Sequence, residues 1–151
     1  MTYKIKDVTK KNPRSNRYCG PAAMSAILGI TTDEAAATLR EVTGRRSIKC
    51  THGYEIHSAL QMYGVRMQQN YREVVQHKGE SFRNWAKRTI EHRGFDRVFL
   101  VSAGKHWRVV QGWNQVCGIV KSVSTIANAH AKGSIVKAVY EVFVDQRKDA
   151  A

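Results

Sequence analysis

A cysteine followed by a Gly-Pro pair begins the segment CGPAAM at 19–24, which is typical of the first turn of a helix. A helix N-terminus has unpaired N–H groups and a partial positive charge, so it lowers the pKa of a thiol and can hold an oxyanion. Cys19 is therefore a candidate nucleophile, and Gly20 would allow a substrate to approach the backbone closely. The alternative is that Cys19 is a small buried residue at the start of a core helix.

A nucleophilic cysteine needs a general base, and His106 is the best candidate among the six histidines. It follows a Gly-Lys turn in GKHWRVVQGW (104–113), at the start of a predicted strand that would hold the imidazole more rigidly than a loop. A cysteine at a helix start and a later histidine at a strand start are typical of Cys–His catalysis. The other histidines lie in ordinary surroundings, at helix ends or in connections: His52, His57, His77, His92 and His130.

The order of these motifs resembles that of papain-like cysteine peptidases, and more closely their C39-type branch. The resemblance is carried by CGPAA at 19–23, HSALQMYGV at 57–65 and GKHWRVVQGW at 104–113, and it covers about residues 15–145. It implies that Cys19 is the nucleophile and that His106 is the general base and acid. It also implies a helical lobe packed on an antiparallel sheet with a cleft between them, a protein or peptide substrate, and no cofactor.

The sequence departs from the family pattern before the cysteine. A glutamine that helps to bind the oxyanion is expected about six residues upstream, where this chain has Pro13. The amide of Asn16, or of Asn12, is a candidate replacement. The residues predicted to contact the substrate are Tyr18, Gly20, Lys105 and Trp107.

The residue that orients the histidine also departs from the pattern. The family places Asp or Asn about sixteen residues after the histidine, and this chain has Ser122 there. Gln111 and Asn114 are the alternatives, and we favour Asn114 because it follows the predicted histidine strand closely. A serine stabilises an imidazolium less well than a carboxylate does.

Helices in the first half of the chain and strands in the second must position these residues. Helices are predicted at about 20–28, from the N-cap Thr31 to Gly44, at about 53–63, and from Ser81 to Gly94. Strands are predicted at 97–103, 106–113, 115–120 and 134–144, where β-branched and aromatic residues concentrate. This order predicts an α+β fold with the helices on one side of an antiparallel sheet.

Length and charge suggest one domain with a strongly basic surface. The 151 residues predict a single domain at 18–147, preceded by a basic arm at 1–17 that we expect to be extended and mobile. The net charge is +13, with six Lys and Arg against one acid in 1–18 and ten against four in 66–108. Such a surface attracts nucleic acid or an acidic protein. The alternative function is therefore a non-catalytic binding module, and the simplest alternative is a solvated basic surface without a ligand.

The remaining composition indicates a reducing compartment and no metal. Three cysteines, an odd and sparse set, argue against a disulfide framework and favour the cytoplasm. No apolar run is long enough to cross a membrane, and the polar N-terminus does not resemble a secretory signal. Cys50, His52 and His57 are possible ligands in CTHGYEIH (50–57), but their spacing matches no zinc pattern, so no metal site is predicted.

Overall fold

A computed structural model describes residues 3–9 and 18–144, and the α+β class is confirmed there. The helices are α1 (Cys19–Leu28), α2 (Thr32–Thr43), α3 (Gly53–Gln61), α4 (Tyr71–Gln76) and α5 (Phe82–Arg93), with a short 3-10 helix at Ile126–Asn128. The strands are β1 (Arg66–Gln69), β2 (Val98–Ala103), β3 (His106–Gln111), β4 (Asn114–Cys117), β5 (Ser124–Thr125) and β6 (Val136–Phe143). Within those two ranges, no helix combines the length and apolarity that crossing a membrane requires.

Local capping signals fix the ends of the predicted helices. The side chains of Thr31 and Ser81 each accept a hydrogen bond, 3.2 Å long, from the backbone N–H three residues later. Gly29 and Gly44 follow α1 and α2 in the left-handed conformation, and each donates its N–H to a carbonyl in the last turn. The four predicted helices are therefore confirmed with boundaries that shift by at most about two residues.

The described strands form one antiparallel sheet in the order β1-β6-β2-β3-β4-β5. The four predicted strands correspond to β2, β3, β4 and β6. Sequence patterns missed β1 and β5 because both are short and polar, and both form by pairing with an edge of the sheet. Gly104 and Lys105, each with φ of 63°, make the tight turn that joins β2 to β3.

Helices cover both faces of this sheet, so the expectation that they pack on one side is wrong. One face carries α1, α2 and α3, and side chains such as Leu100 and Val109 point into that core. The opposite face carries α5, whose Phe82 and Trp85 pack with Val101 and other residues of a second core. The reason is that β2 is apolar at nearly every position, so its alternating side chains require cover on both faces.

The described part of the N-terminal arm is packed on the domain. Residues 3–8 have no regular secondary structure, but Ile5 is buried in the first core and the Lys6 N–H donates to the Ala26 carbonyl at 2.9 Å. Thr9 makes a parallel bridge with Thr31. The expectation of a mobile arm is therefore wrong for residues 3–9, since they contribute apolar and backbone contacts to the folded body.

Candidate active site

Cys19 is the first residue of α1 and lies half-buried against β3. Its N-cap, Tyr18, has extended backbone, so the first turn of α1 presents its N–H groups beside the sulfur. The thiol donates to the Lys105 carbonyl with a Sγ–O distance of 4.0 Å. The Trp107 backbone N–H is near enough to the same sulfur to lower its pKa. The backbone on both sides of His106 therefore lies beside Cys19, although Lys105 is 86 positions from Cys19 in the sequence.

Burial determines the protonation state of this thiol. Burial raises the pKa of Cys19, and the backbone N–H groups of Trp107, Cys19 and Gly20 lower it by less. The neighbouring Cys50 raises the Cys19 pKa further. In the resting protein Cys19 is thus a neutral thiol, and the expected activation by the helix N-terminus alone does not occur.

His106 begins β3 and is half-buried next to the Gly104-Lys105 turn. Alternation along β3 places Trp107 in the first core, with α1, and the Arg108 guanidinium on the Phe82 ring of the second core. His106 shares a face with Arg108, and its cross-strand partner Ala103 also belongs to the second core. Cys19 thus lies beside the backbone around His106, but the His106 side chain leaves β3 on the face opposite the one that α1 covers.

A second imidazole, from His130, contacts His106. The two rings meet edge to face, with their centroids 6.0 Å apart. Burial first, then the charges of Arg108 and His130, lower the pKa of His106. Its imidazole is therefore neutral at neutral pH and can accept a proton.

Sequence reasoning set His130 aside, and no spacing rule links positions 106 and 130. The contact depends on Arg108, which is fully buried and donates hydrogen bonds to the carbonyls of His130 and Ala131. Arg108 thus holds the 130–131 segment beside β3. An arginine inside an otherwise apolar strand, HWRVVQ, was the signal that could have pointed to this region.

The prediction that Asn114 or Gln111 orients His106 is wrong. They face each other across the β3–β4 hairpin, at the end of β3 remote from His106. The Gln111 side chain instead anchors the N-terminal segment, accepting from the Ile5 N–H at 3.0 Å and donating to the Tyr3 carbonyl at 2.7 Å. Both positions lie five residues along the strand from His106, which is too far for a hydrogen bond to its imidazole.

Ser122 is exposed between β4 and β5. The residues on either side of it bond to the N-terminal segment: the Lys121 carbonyl accepts from Val8, and the Val123 N–H donates to the Asp7 carboxylate. That segment runs along the second half of α1, where Thr9 bonds to Ser25. This placement gives no support to a role for Ser122 beside His106.

Gly20 and Trp107 build the wall behind the thiol, so their prediction as substrate contacts is wrong. A Cβ at Gly20 would lie 2.1 Å from the Thr51 hydroxyl, which fills the space predicted for a substrate. Trp107 is only 8% exposed, and its Nε1 donates to the Thr51 carbonyl at 2.9 Å. Its ring also meets the Tyr140 ring edge to face, with centroids 5.8 Å apart.

Of the other predicted contacts, Lys105 is exposed beside the sulfur, and Asn16 lies outside the described residues. Cys50 is exposed and precedes Thr51, while Cys117 is buried in β4. Among residues 3–9 and 18–144, no group of three or more His, Cys, Asp or Glu could hold a metal ion.

Comparisons of this chain with protein-family models, with curated proteins and with solved structures found no match. Function is therefore inferred from the side chains around Cys19, from the residues that hold His106, and from the remaining surface.

Proposed function

We propose that the protein is a papain-like thiol hydrolase, specifically a cysteine peptidase that cleaves an amide bond in a protein or peptide. One observation carries the proposal: the Cys19 sulfur lies at a helix N-terminus, 4.0 Å from the carbonyl that immediately precedes His106. The α+β order and the packing of α1 on β3 support the papain-like architecture. The three unpaired cysteines support a reducing, cytoplasmic location.

The protonation states favour general-base catalysis over a preformed ion pair. The lowered pKa of His106 and the raised pKa of Cys19 keep both groups neutral before substrate binds. The proposal requires the His106 side chain, which stands at the first position of its strand, to leave its contact with His130 and turn around the strand end toward the sulfur when substrate binds. The imidazole then takes the thiol proton as the sulfur attacks, which avoids the cost of a buried thiolate in the resting state.

The proposed reaction has two steps. The sulfur bonds to the carbonyl carbon, and the Cys19 N–H stabilises the resulting oxyanion. The His106 imidazolium gives its proton to the leaving amine as the C–N bond breaks, and a thioester remains on Cys19. A water, deprotonated by His106, then attacks the thioester and releases a carboxylic acid and the free thiol. An amine in place of water would give acyl transfer instead.

We assign the role of orienting His106 to His130. The edge contact positions the His106 ring before substrate binds, and the charge of His130 contributes to the lowered pKa of His106.

An acylation burst tests the proposal. The Cys50→Ala variant serves as the background because Cys50 is the exposed thiol. We expect p-nitrophenyl acetate to release about one equivalent of p-nitrophenolate per chain in a burst, since one thiol is acylated. Cys19→Ala should abolish the burst, and His106→Ala should slow it about 10²- to 10⁴-fold. His92→Ala, at an exposed helix end, is the matched control and should leave the burst unchanged.

Three results would contradict the proposal. A burst that persists in Cys19→Ala assigns acylation to another nucleophile, and a burst unaffected by His106→Ala removes His106 as the base. The absence of any burst leaves the non-catalytic binding module as the function. The raised pKa of Cys19 is the observation that favours this alternative, since a thiol with no catalytic task needs no activation.

A further inference from the structure

A groove lies on the sheet face opposite Cys19, between α5, the β3–β4 turn and the 3-10 helix. Its volume is about 520 Å³, and its floor is apolar, with Ile126 and Ala127 beside the indole of Trp113. Ile126 belongs to the second core and donates its N–H to the Trp113 carbonyl at 2.8 Å. Core packing and this hydrogen bond therefore fix the position of the floor of the groove. The groove shares no lining residue with the thiol site.

Three basic residues contribute to the walls of this groove, chiefly through the apolar parts of their side chains: Arg83, Lys87 and Lys132. Arg83 and Lys87 are exposed one turn apart on α5, so both project from the same side of the helix. The Lys132 ammonium donates to the Ala127 carbonyl at 2.7 Å, which places it at the rim. Among the described residues, the arginines that form ion pairs are Arg45, Arg88 and Arg97. The three basic residues of the groove therefore have no carboxylate partner in that part of the chain.

Trp113 is the exposed tryptophan of this chain. It is 39% exposed, whereas Trp85 and Trp107 are 1% and 8% exposed. Its indole lines the groove and also a neighbouring cavity of about 390 Å³ beside Phe95, which is 66% exposed. An aromatic ring open between two cavities offers a stacking surface to a planar ligand.

We propose that this groove binds single-stranded nucleic acid. An unpaired base stacks on Trp113, and the backbone phosphates on either side contact Arg83, Lys87 and Lys132. Aromatic platforms next to cationic grooves are the means by which proteins bind single strands without sequence preference. A duplex hides the faces of its bases and would not use Trp113, and an acidic peptide would supply the charge without a ring to stack. The inference goes beyond the thiol hydrolase and stands without it.

Fluorescence titration of the whole protein with a fifteen-residue oligothymidylate tests the proposal. Because the other two tryptophans are buried, binding should quench the emission of Trp113. Trp113→Ala should weaken binding, measured by anisotropy of a labelled strand, roughly 5- to 150-fold. Trp113→Phe keeps a stacking ring, so it should bind nearly as well as the parent while losing the quenching signal.

Salt dependence tests the three cations. Three phosphate contacts predict a slope of roughly −2 for log K against log salt concentration, at about −0.7 per contact with a single strand. Lys87→Gln and Arg83→Gln should each reduce that slope by roughly 0.7. Lys49→Gln is the matched control, because Lys49 is exposed beside Ile48 of the first core, on the other side of the sheet. It removes the same charge and should leave the slope unchanged.

Three further ligands separate stacking from charge: inorganic polyphosphate, a duplex and polyglutamate. Inorganic polyphosphate of equal length should bind more weakly than the oligothymidylate and should not quench Trp113. Equal binding of polyphosphate, of a duplex, or of polyglutamate overturns the proposal, as does an unchanged affinity in Trp113→Ala. Cys19→Ala should bind the strand normally, so failure of the hydrolase proposal and failure of this one give different results.

Discussion

The two faces of the central sheet are covered by different kinds of side chain. The face toward α1 is packed mainly with aliphatic residues and alanines, together with Trp107, and has the neutral thiol of Cys19 at its margin. The face toward α5 contains two buried arginines, Arg93 and Arg108, whose guanidinium groups lie over the Trp85 and Phe82 rings at 4.8 Å. One sheet therefore supports an apolar core on one side and a mixed aromatic and cationic core on the other.

The difference shows how a small domain can keep two potential sites apart. Arg93 donates to the Ala86 and Gly112 carbonyls, and burial lowers its pKa to about 10. Carbonyl acceptors and aromatic faces, not carboxylates, compensate these buried cations. The arginines thereby hold the turn before Trp113 and the segment at His130. The face toward α1 instead holds α1, α2, α3 and the segment around Ile5 through apolar contacts.

Among the predicted effects, truncation of Trp85 should give the largest loss in the free energy of unfolding. Trp85→Ala empties the centre of the second core and should lower the free energy of unfolding by about 3–5 kcal/mol, measured by urea denaturation. Leu39→Ala in the first core should cost about 2–5 kcal/mol. Trp85→Phe should cost much less, since Trp85 Nε1 is buried without a hydrogen-bond partner. A loss below about 1 kcal/mol in Trp85→Ala would show that the α5 face contributes little packing.

Substitution of Gly20 tests the packing behind the thiol. A Cβ there meets the Thr51 hydroxyl at 2.1 Å, so Gly20→Ala should destabilise the protein by about 1–3 kcal/mol in the same assay. The Gly20→Ala, Thr51→Ala double variant should recover part of that loss, because the hydroxyl is removed. Gly133→Ala is the control, since no atom lies within 4 Å of its added Cβ. Equal stability of Gly20→Ala and the parent would mean that this contact is loose.

Alkylation of Cys19 across pH tests its neutral resting state. Burial raises the Cys19 pKa, so less thiolate is present at any pH below it and iodoacetamide should react more slowly in the folded protein than in urea. The rate should rise with pH to a higher midpoint in the folded state, as followed by mass spectrometry of the Cys19 peptide in Cys50→Ala. A lower midpoint in the folded protein would instead indicate a thiolate–imidazolium pair and would remove the general-base mechanism.

The smallest effects are expected from the helix caps, one on each side of the sheet. Thr31→Ala and Ser81→Ala each remove an N-cap hydrogen bond and should each cost about 1 kcal/mol in thermal or urea unfolding. Only Ser81→Ala should also weaken binding of the oligothymidylate, because α5 carries Arg83 and Lys87. Equal weakening by Thr31→Ala would show that the two sides are coupled.

The sequence by itself determined the local elements. Thr31, Ser81, Gly29 and Gly44 act within a few residues of their own position, so the helices they bound were predictable. The same holds for the four longer strands, whose β-branched and aromatic residues mark them without reference to a partner. The placement of Cys19 at a helix start and of His106 at a strand start follows from these local signals.

Only the tertiary structure decided what those residues contact. The face on which His106 leaves β3, its contact with His130, and the filling of the Gly20 space by Thr51 all depend on pairs far apart in sequence. The groove likewise lies between α5, the β3–β4 turn, the 3-10 helix and Lys132, which are distant in sequence. Periodicity specifies which residues are buried along one element, but the packing of distant elements selects the neighbours, and chemistry at a site depends on those neighbours.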